Sequence, residues 1–144
     1  LLASSSQRAA SGVEQTDGEA RPLILIVDDS ITVRSHTART LERAGYQSLA
    51  ASNGEEALTL ITQNRPALIL SDIEMPRMDG FVLLKRLRAQ GSTAHIPIVM
   101  ISSRTAEKHR SRAAELGADH YLGKPFNEAE LLQTIRKLLA RPSE

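Results

Sequence analysis

Side chains able to attack, bind or neutralise a charged group recur at the ends of short apolar runs. Leu23–Val27 (LILIV) leads straight into Asp28-Asp29, and Ala67–Leu70 (ALIL) leads into Ser71-Asp72. Ile96–Ile101 (IPIVMI) leads into Ser102-Ser103, and Asp119–Leu122 (DHYL) is followed by Gly123-Lys124. A carboxylate is a competent nucleophile. Several carboxylates together hold a hard divalent cation through oxygen. A hydroxyl and an ammonium hold the oxygens of an anion. This set supplies the positioning and charge neutralisation that phosphoryl transfer requires.

Each residue taken singly has a plainer role. Asp28-Asp29-Ser30 suits a helix cap, Asp72 a turn, Ser102 a loop hydroxyl and Lys124 a solvated surface charge. Their recurrence at the ends of four separate apolar runs is what one shared site explains and four unrelated roles do not.

The elements that must position them follow from the pattern between the runs. Short runs rich in Ile and Val suit strands buried on both faces. Tyr46–Ala51 (YQSLAA) and Asp119–Leu122 are more polar and read as sheet edges. Helical spacing appears after Ser30 in Val33, Thr37, Leu41 and Ala44, with Gly45 as the stop. Ser52-Asn53-Gly54-Glu55 fits a capping box ahead of Ala57, Leu58 and Ile61. Further helices are expected over Gly80–Gln90 and Thr105–Leu116. Asn127, with Glu130 three residues on, opens the last, whose apolar face is Leu131, Leu132, Ile135, Leu138 and Leu139. Strand and helix alternating five times predict a flavodoxin-like (βα)5 fold, a doubly wound parallel sheet; with apolar strands 1, 3 and 4 central and 2 and 5 at the edges, one arrangement that fits is the order 2-1-3-4-5. Ligands bind beyond the carboxyl ends of such strands, near the point where the order reverses. Asp28, Asp29 and Asp72 fall there, with Ser102 and Lys124 on neighbouring strand ends.

Strands lie about 4.8 Å apart, so three carboxylates on adjacent ends repel one another. A shared proton or a bridging cation relieves this. Mg²⁺ suits an all-oxygen site that also handles phosphate, and together with Lys124 it balances the three acids. The histidines His36, His95, His109 and His120 show no ligand spacing, and the three Met residues read as gap-fillers.

Composition bounds the rest. The 144 residues suit one domain with a tail. Eighteen Lys+Arg against 17 Asp+Glu leave a net charge of +1, which argues against binding nucleic acid through bulk positive charge. The absence of Cys excludes disulfides, zinc-thiolate sites and thiol catalysis. With aromatics at 3% and no Trp, a stacking platform for bases is unsupported. No apolar run approaches the roughly 20 residues that span a bilayer. Leu1–Arg21 (LLASSSQRAASGVEQTDGEAR) reads as a solvated linker, and its first residue, Leu rather than Met, points to a longer parent chain. The expected division is a linker over 1–21 and a folded domain over 22–141.

The segments LILIVDDS, LILSDIEMPRMDGF, IVMISS and YLGKPF resemble the receiver (response-regulator) domain of two-component signalling, over about Leu23–Leu139. The resemblance implies that Asp72 is the phosphoacceptor, taking a phosphoryl group from the phosphohistidine of a kinase or phosphotransfer domain. It implies that Asp28 and Asp29 hold Mg²⁺, with the backbone carbonyl of Glu74 completing the metal shell. Ser102 matches the switch hydroxyl, Tyr121 the switch aromatic and Lys124 the family lysine, followed by a peptide bond to Pro125 that is cis in the family. Signalling to a downstream protein is expected through the helix 4–strand 5–helix 5 face. The isolated domain is expected to be a switch rather than a turnover enzyme, cytoplasmic, without direct nucleic-acid or membrane contact.

More narrowly, DDSITVRSHTARTLERAGYQ and SSRTAEKHRSRAAELGADHYLGKPF resemble receivers at the C-terminus of chemotaxis-type hybrid histidine kinases, including those governing type IV pili. A single-domain regulator or phosphate sink is the alternative within the family. A flavodoxin-like flavin protein shares the fold, but Asp28-Asp29 would repel a bare phosphate after the first strand. An aspartate-based phosphatase usually carries its two acids two residues apart on the first strand, whereas here they are adjacent. A purely structural dimerisation module would bind its partner equally well with or without a phosphodonor.

Overall fold

The computed structural model describes residues 21–103 and 107–140. The expected linker up to residue 20, residues 104–106 at the start of the expected fourth helix, and the expected domain end at 141 lie outside the described residues.

The apolar runs form five strands: β1 (Leu23–Val27), β2 (Gln47–Ala51), β3 (Leu68–Ser71), β4 (Ile98–Ser102) and β5 (His120–Gly123). Between and after them lie α1 (Ile31–Arg43), α2 (Gly54–Asn64), α3 (Gly80–Ala89), α4 (Glu107–Glu115) and α5 (Glu128–Leu139). Every strand pairing is parallel and the order is β2-β1-β3-β4-β5. This is the flavodoxin-like doubly wound sheet that the alternation predicts. The apolar strands β1, β3 and β4 occupy its centre.

Boundaries differ by a residue or two, for local reasons. β4 begins at Ile98 rather than Ile96, because Pro97 has no N–H to give to a ladder. Its carbonyl still accepts from Ile69 N at 3.0 Å. β3 and β5 each run one residue past the apolar stretch, carrying Ser71 and Gly123 inside the sheet. The α2 cap is Asn53 rather than Ser52: its side chain accepts from Glu56 N at 2.9 Å. Glu56 reaches back to the N–H of Ser52, the residue before the cap, at 2.8 Å, so the cap lies one residue later than expected and the return bond goes to its neighbour. That backbone hydrogen bond, with the Ser52 hydroxyl, holds the Glu56 carboxyl below its ordinary range. Asn127 caps α5 as expected, accepting from Glu130 N at 3.0 Å.

Side-chain alternation along the strands splits the core in two. Ile24, Ile26, Leu68, Leu70, Val99, Ile101 and Leu122 pack with Leu41 of α1 and Leu131 and Ile135 of α5. Leu25, Val27, Ile69, Ile98, Met100 and Tyr121 pack with Ile61 of α2, Leu84 and Leu87 of α3 and Ala113 of α4. Met75, Met78 and Met100 are all buried in this second layer, the gap-filling role expected of them.

Candidate functional site

The same alternation decides which polar residues meet. Asp28 lies two positions beyond Ile26, Asp72 two beyond Leu70, and Lys124 two beyond Leu122, so all three continue the α1/α5 face past the strand ends. Ser102 and Tyr121 instead lie on the α4 face, Tyr121 beside Met100 in register and Ser102 two positions after it. The backbone is fixed at each point. Asp28 N donates to Ala51 O at 3.1 Å, Asp72 N to Val27 O at 2.8 Å, and Lys124 N to Ser102 O at 2.9 Å. The Lys124–Pro125 peptide is cis.

Carboxylate oxygens of Asp28, Asp29 and Asp72 lie within 4.8 Å of one another. Asp28 and Asp72 are buried and Asp29 is exposed. Lys124 Nζ donates to Asp28 Oδ2 at 2.7 Å and stands 3.4 Å from Asp72 Oδ2. Capping and site roles coincide at Asp28. Its Oδ1 accepts from Ser30 N at 2.9 Å, while Ser30 itself caps α1 by accepting from Val33 N at 3.3 Å. Asp72 Oδ1 accepts from Ile73 N at 2.8 Å, which leaves Oδ2 as the oxygen turned towards the ammonium.

Burial raises the Asp72 carboxyl above the ordinary aspartate value. The Lys124 charge opposes the rise and the Asp28 charge adds to it. Burial pulls the Lys124 ammonium down, but its hydrogen bond to Asp28 and the two negative charges outweigh that, so it titrates above an ordinary lysine. The pocket therefore holds a lysine that keeps its charge beside an Asp72 carboxyl whose ionisation burial opposes.

Ser102 is fully buried at the end of β4. Tyr121 is 9% exposed, with its ring turned into the core under the Arg110 guanidinium of α4, whose Cζ lies 4.9 Å from the ring centroid. Glu74 is exposed on the loop after β3 and lines, with Asp29, Phe81 and His109, a cavity of about 490 Å³. The histidines do not gather: among the described residues, the only group of three or more potential metal ligands is Asp28, Asp29 and Asp72.

Two contributors were not foreseen from the sequence. Arg34, one turn into α1, donates through Nη1 to the Asp28 carbonyl at 2.7 Å and so braces the β1–α1 turn. Gly80, the first residue of α3, is packed so closely that a Cβ there would run into the carbonyl oxygen of Asp72. Its place directly after an Asp that caps α3 was the available signal.

A family model for the response regulator receiver domain matches residues 24–136. The chain belongs to that family. Among curated relatives of this receiver, the response regulator MprA of Mycobacterium sp. (strain KMS) is 42% identical over 120 residues, covering 83% of this chain and 51% of the relative. The phosphate regulon transcriptional regulatory protein PhoB of Pseudomonas aeruginosa is 39% identical over 118 residues, covering 82% and 52%. The receiver thus spans about half the length of the curated relatives it matches. Among solved structures, the Vibrio cholerae chemotaxis protein CheY4 aligns with a TM-score of 0.79 at 37% identity, covering 83% of this chain and 99% of that one. The receiver domain of a signal transduction histidine kinase from Syntrophus aciditrophicus aligns at 0.78 and 35%, covering 85% and 95%. Relatives of several kinds thus share the receiver. They place this chain in the family and do not single out the chemotaxis hybrid kinases that the narrower motifs resemble. No helix among the described residues is long and apolar enough to cross a membrane.

Proposed function

We propose that this receiver accepts a phosphoryl group on Asp72 from the phosphohistidine of a kinase or phosphotransfer domain, and that the new charge switches its α4–β5–α5 face. The observation that carries the reading is the convergence of three carboxylates on one ammonium, Lys124, at the strand ends. Three negative charges facing one positive leave a surplus of two, which a divalent cation cancels. The donors are all oxygens, as Mg²⁺ prefers. Asp28, Asp29, Asp72 and the Glu74 carbonyl would hold it, and when bound it supplies neutralisation of phosphoryl oxygens.

In the transfer, a carboxylate oxygen of Asp72 attacks phosphorus. The P–N bond to the donor imidazole breaks, the nitrogen keeps the electron pair, and the imidazole picks up a proton from solvent. Lys124 stays charged throughout and holds a phosphoryl oxygen. The Ser102 hydroxyl holds another, and Tyr121, on the same side of the sheet, follows it. A charge gained at one point thereby biases a packed element with two arrangements.

The wider setting is read as a cytoplasmic C-terminal receiver of a chemotaxis-type hybrid kinase, signalling by protein contact. Its likeness to the Syntrophus receiver supports a kinase setting only, whereas the relatives MprA and PhoB favour a response regulator. The site reading is tested by incubating the protein with phosphoramidate and Mg²⁺ and following the gain of one phosphoryl group by mass spectrometry. The parent is expected to label, Asp72→Asn to fail and chelation to abolish labelling. If Asp72→Asn labels as well as the parent, the assignment is wrong.

A further inference from the structure

A buried hydroxyl lies on the inner face of α1, below the acidic pocket. Thr37 is 1% exposed, and its Oγ1 has no hydrogen-bond partner among the described residues. Leaving a buried hydroxyl unsatisfied costs about 1–3 kcal/mol, so such groups normally find a protein or water partner. Helix hydroxyls often satisfy themselves on the carbonyl four residues back. Thr40, Thr59 and Thr62 do this here, and Thr37 does not.

Beside Thr37 is a cavity of about 10 Å³, walled by Asp28, Asp72, Val33, Ile101 and Phe126. That volume is the size of one water, and a water needs at least two polar partners to reside in a protein. The wall provides them: the Thr37 hydroxyl on one side and the carboxylates of Asp28 and Asp72, which share the α1/α5 face, on the other. Asp28 already receives Ser30 N and Lys124 Nζ, and Asp72 receives Ile73 N. A carboxylate has about four acceptor positions, so both have room for one more donor. Apart from Ser71, whose hydroxyl already donates to the Asp72 carbonyl at 2.9 Å, the other lining residues are apolar, so the acids are the acceptors open to the water.

We propose that Thr37 is a positioning residue for the acidic site, acting through one buried water that bridges its hydroxyl to the Asp28–Asp72 carboxylates. The water meets the two buried acids in a cavity that Asp29, the exposed acid, does not line. It fixes carboxylate orientation without touching the transferred group. The water stands on the cavity and the orphan hydroxyl alone; its effect on Mg²⁺ rests on the proposed function.

The test compares the parent, Thr37→Val and Thr37→Ser. Nuclear Overhauser contacts to long-lived water are read at the residue 37 amide and the Asp28 amide, and Mg²⁺ affinity is read by calorimetry. The parent is expected to show the water contact. Thr37→Val, equal in shape but without the hydroxyl, is expected to lose it and to bind Mg²⁺ roughly fivefold more weakly, while Thr37→Ser retains both. No water contact in the parent, or a Thr37→Val protein that binds Mg²⁺ as the parent does, overturns the proposal. A parent that shows the water but binds no Mg²⁺ would sink the proposed function and also the positioning role built on it, leaving only a structural water.

Discussion

Lys124 Nζ sits closer to Asp28 than to Asp72, at 2.7 Å against 3.4 Å. The residue proposed to hold the phosphoryl group thus rests on the metal-side acid and only leans towards the phosphoacceptor. It is 22% exposed and its partners far less, so the attraction is only partly screened. Removing it leaves buried carboxylates facing one another. Lys124→Ala is expected to lower stability by about 2 kcal/mol at neutral pH, measured by urea unfolding without metal. The deficit should shrink as pH falls and Asp72 takes a proton, and should shrink on adding Mg²⁺. A deficit independent of both would mean that the loss comes from packing of the lysine stem.

Asp72 carries the opposite lesson. Its pKa is raised by burial, so over the interval between the unfolded and folded values the native state binds more protons than the unfolded chain. Stability therefore falls as pH rises through that interval, and the penalty is fully present above it. Asp72→Asn removes the charge and keeps the shape. Without metal at pH 7 it should melt higher by roughly 2–4 °C, corresponding to about 1 kcal/mol. The advantage should vanish below the ordinary aspartate range, where both forms are neutral. Calorimetric scans across pH check this, and an equal advantage at every pH would contradict the titration.

Gly80 shows how the backbone guards the site. A Cβ there would collide with the Asp72 carbonyl and crowd Ile73 Cα and the Met100 methyl. In an open helix Gly→Ala gains up to about 1 kcal/mol. Gly80→Ala should instead cost about 2–3 kcal/mol, because the obstacle is backbone rather than a mobile chain end. It should also slow labelling of Asp72. Gly91, where an added Cβ would meet nothing within 4 Å, is the control, and Gly91→Ala should change stability by no more than about 0.5 kcal/mol.

The parts of this molecule that were legible in sequence are those set by local pattern. Four runs with acids, a hydroxyl or a lysine at their ends, alternating with helical spacing, pointed to the sheet and its polar rim. Asn127 with Glu130 marked a helix start because that spacing closes a hydrogen bond. Where two neighbouring residues could both cap, the spacing of Ser52 and Glu55 pointed to Ser52, whereas Asn53 is the cap and packing of Gly54 against Met78 fits it. Thr37 was legible only as a helix position: nothing local says that it lines a cavity shared with Asp28 and Asp72. Long-range partners leave still less trace. Arg88, near the end of α3, spans 31 positions to reach Asp119.

That last contact supports a prediction of its own. Asp119 Oδ2 accepts both from Arg88 Nη2 and from Ile98 N, each at 2.9 Å. Arg88 also donates to the carbonyls of Ala94, Ile96 and Gly117, at 3.0, 2.7 and 3.0 Å. One carboxylate thus ties the start of β4 to α3 and to the entry of β5, at the end of the sheet opposite the acidic pocket. Asp119→Ala leaves a strand N–H and a guanidinium without this acceptor in a half-buried place. The expected cost is about 2 kcal/mol by urea unfolding. Asp119→Asn keeps an oxygen for Ile98 N and should cost less than half as much. Because the network lies far from Asp72, neither variant should alter the labelling rate under conditions where both are folded. A labelling defect in folded Asp119→Asn would show instead that the two ends of the sheet are coupled.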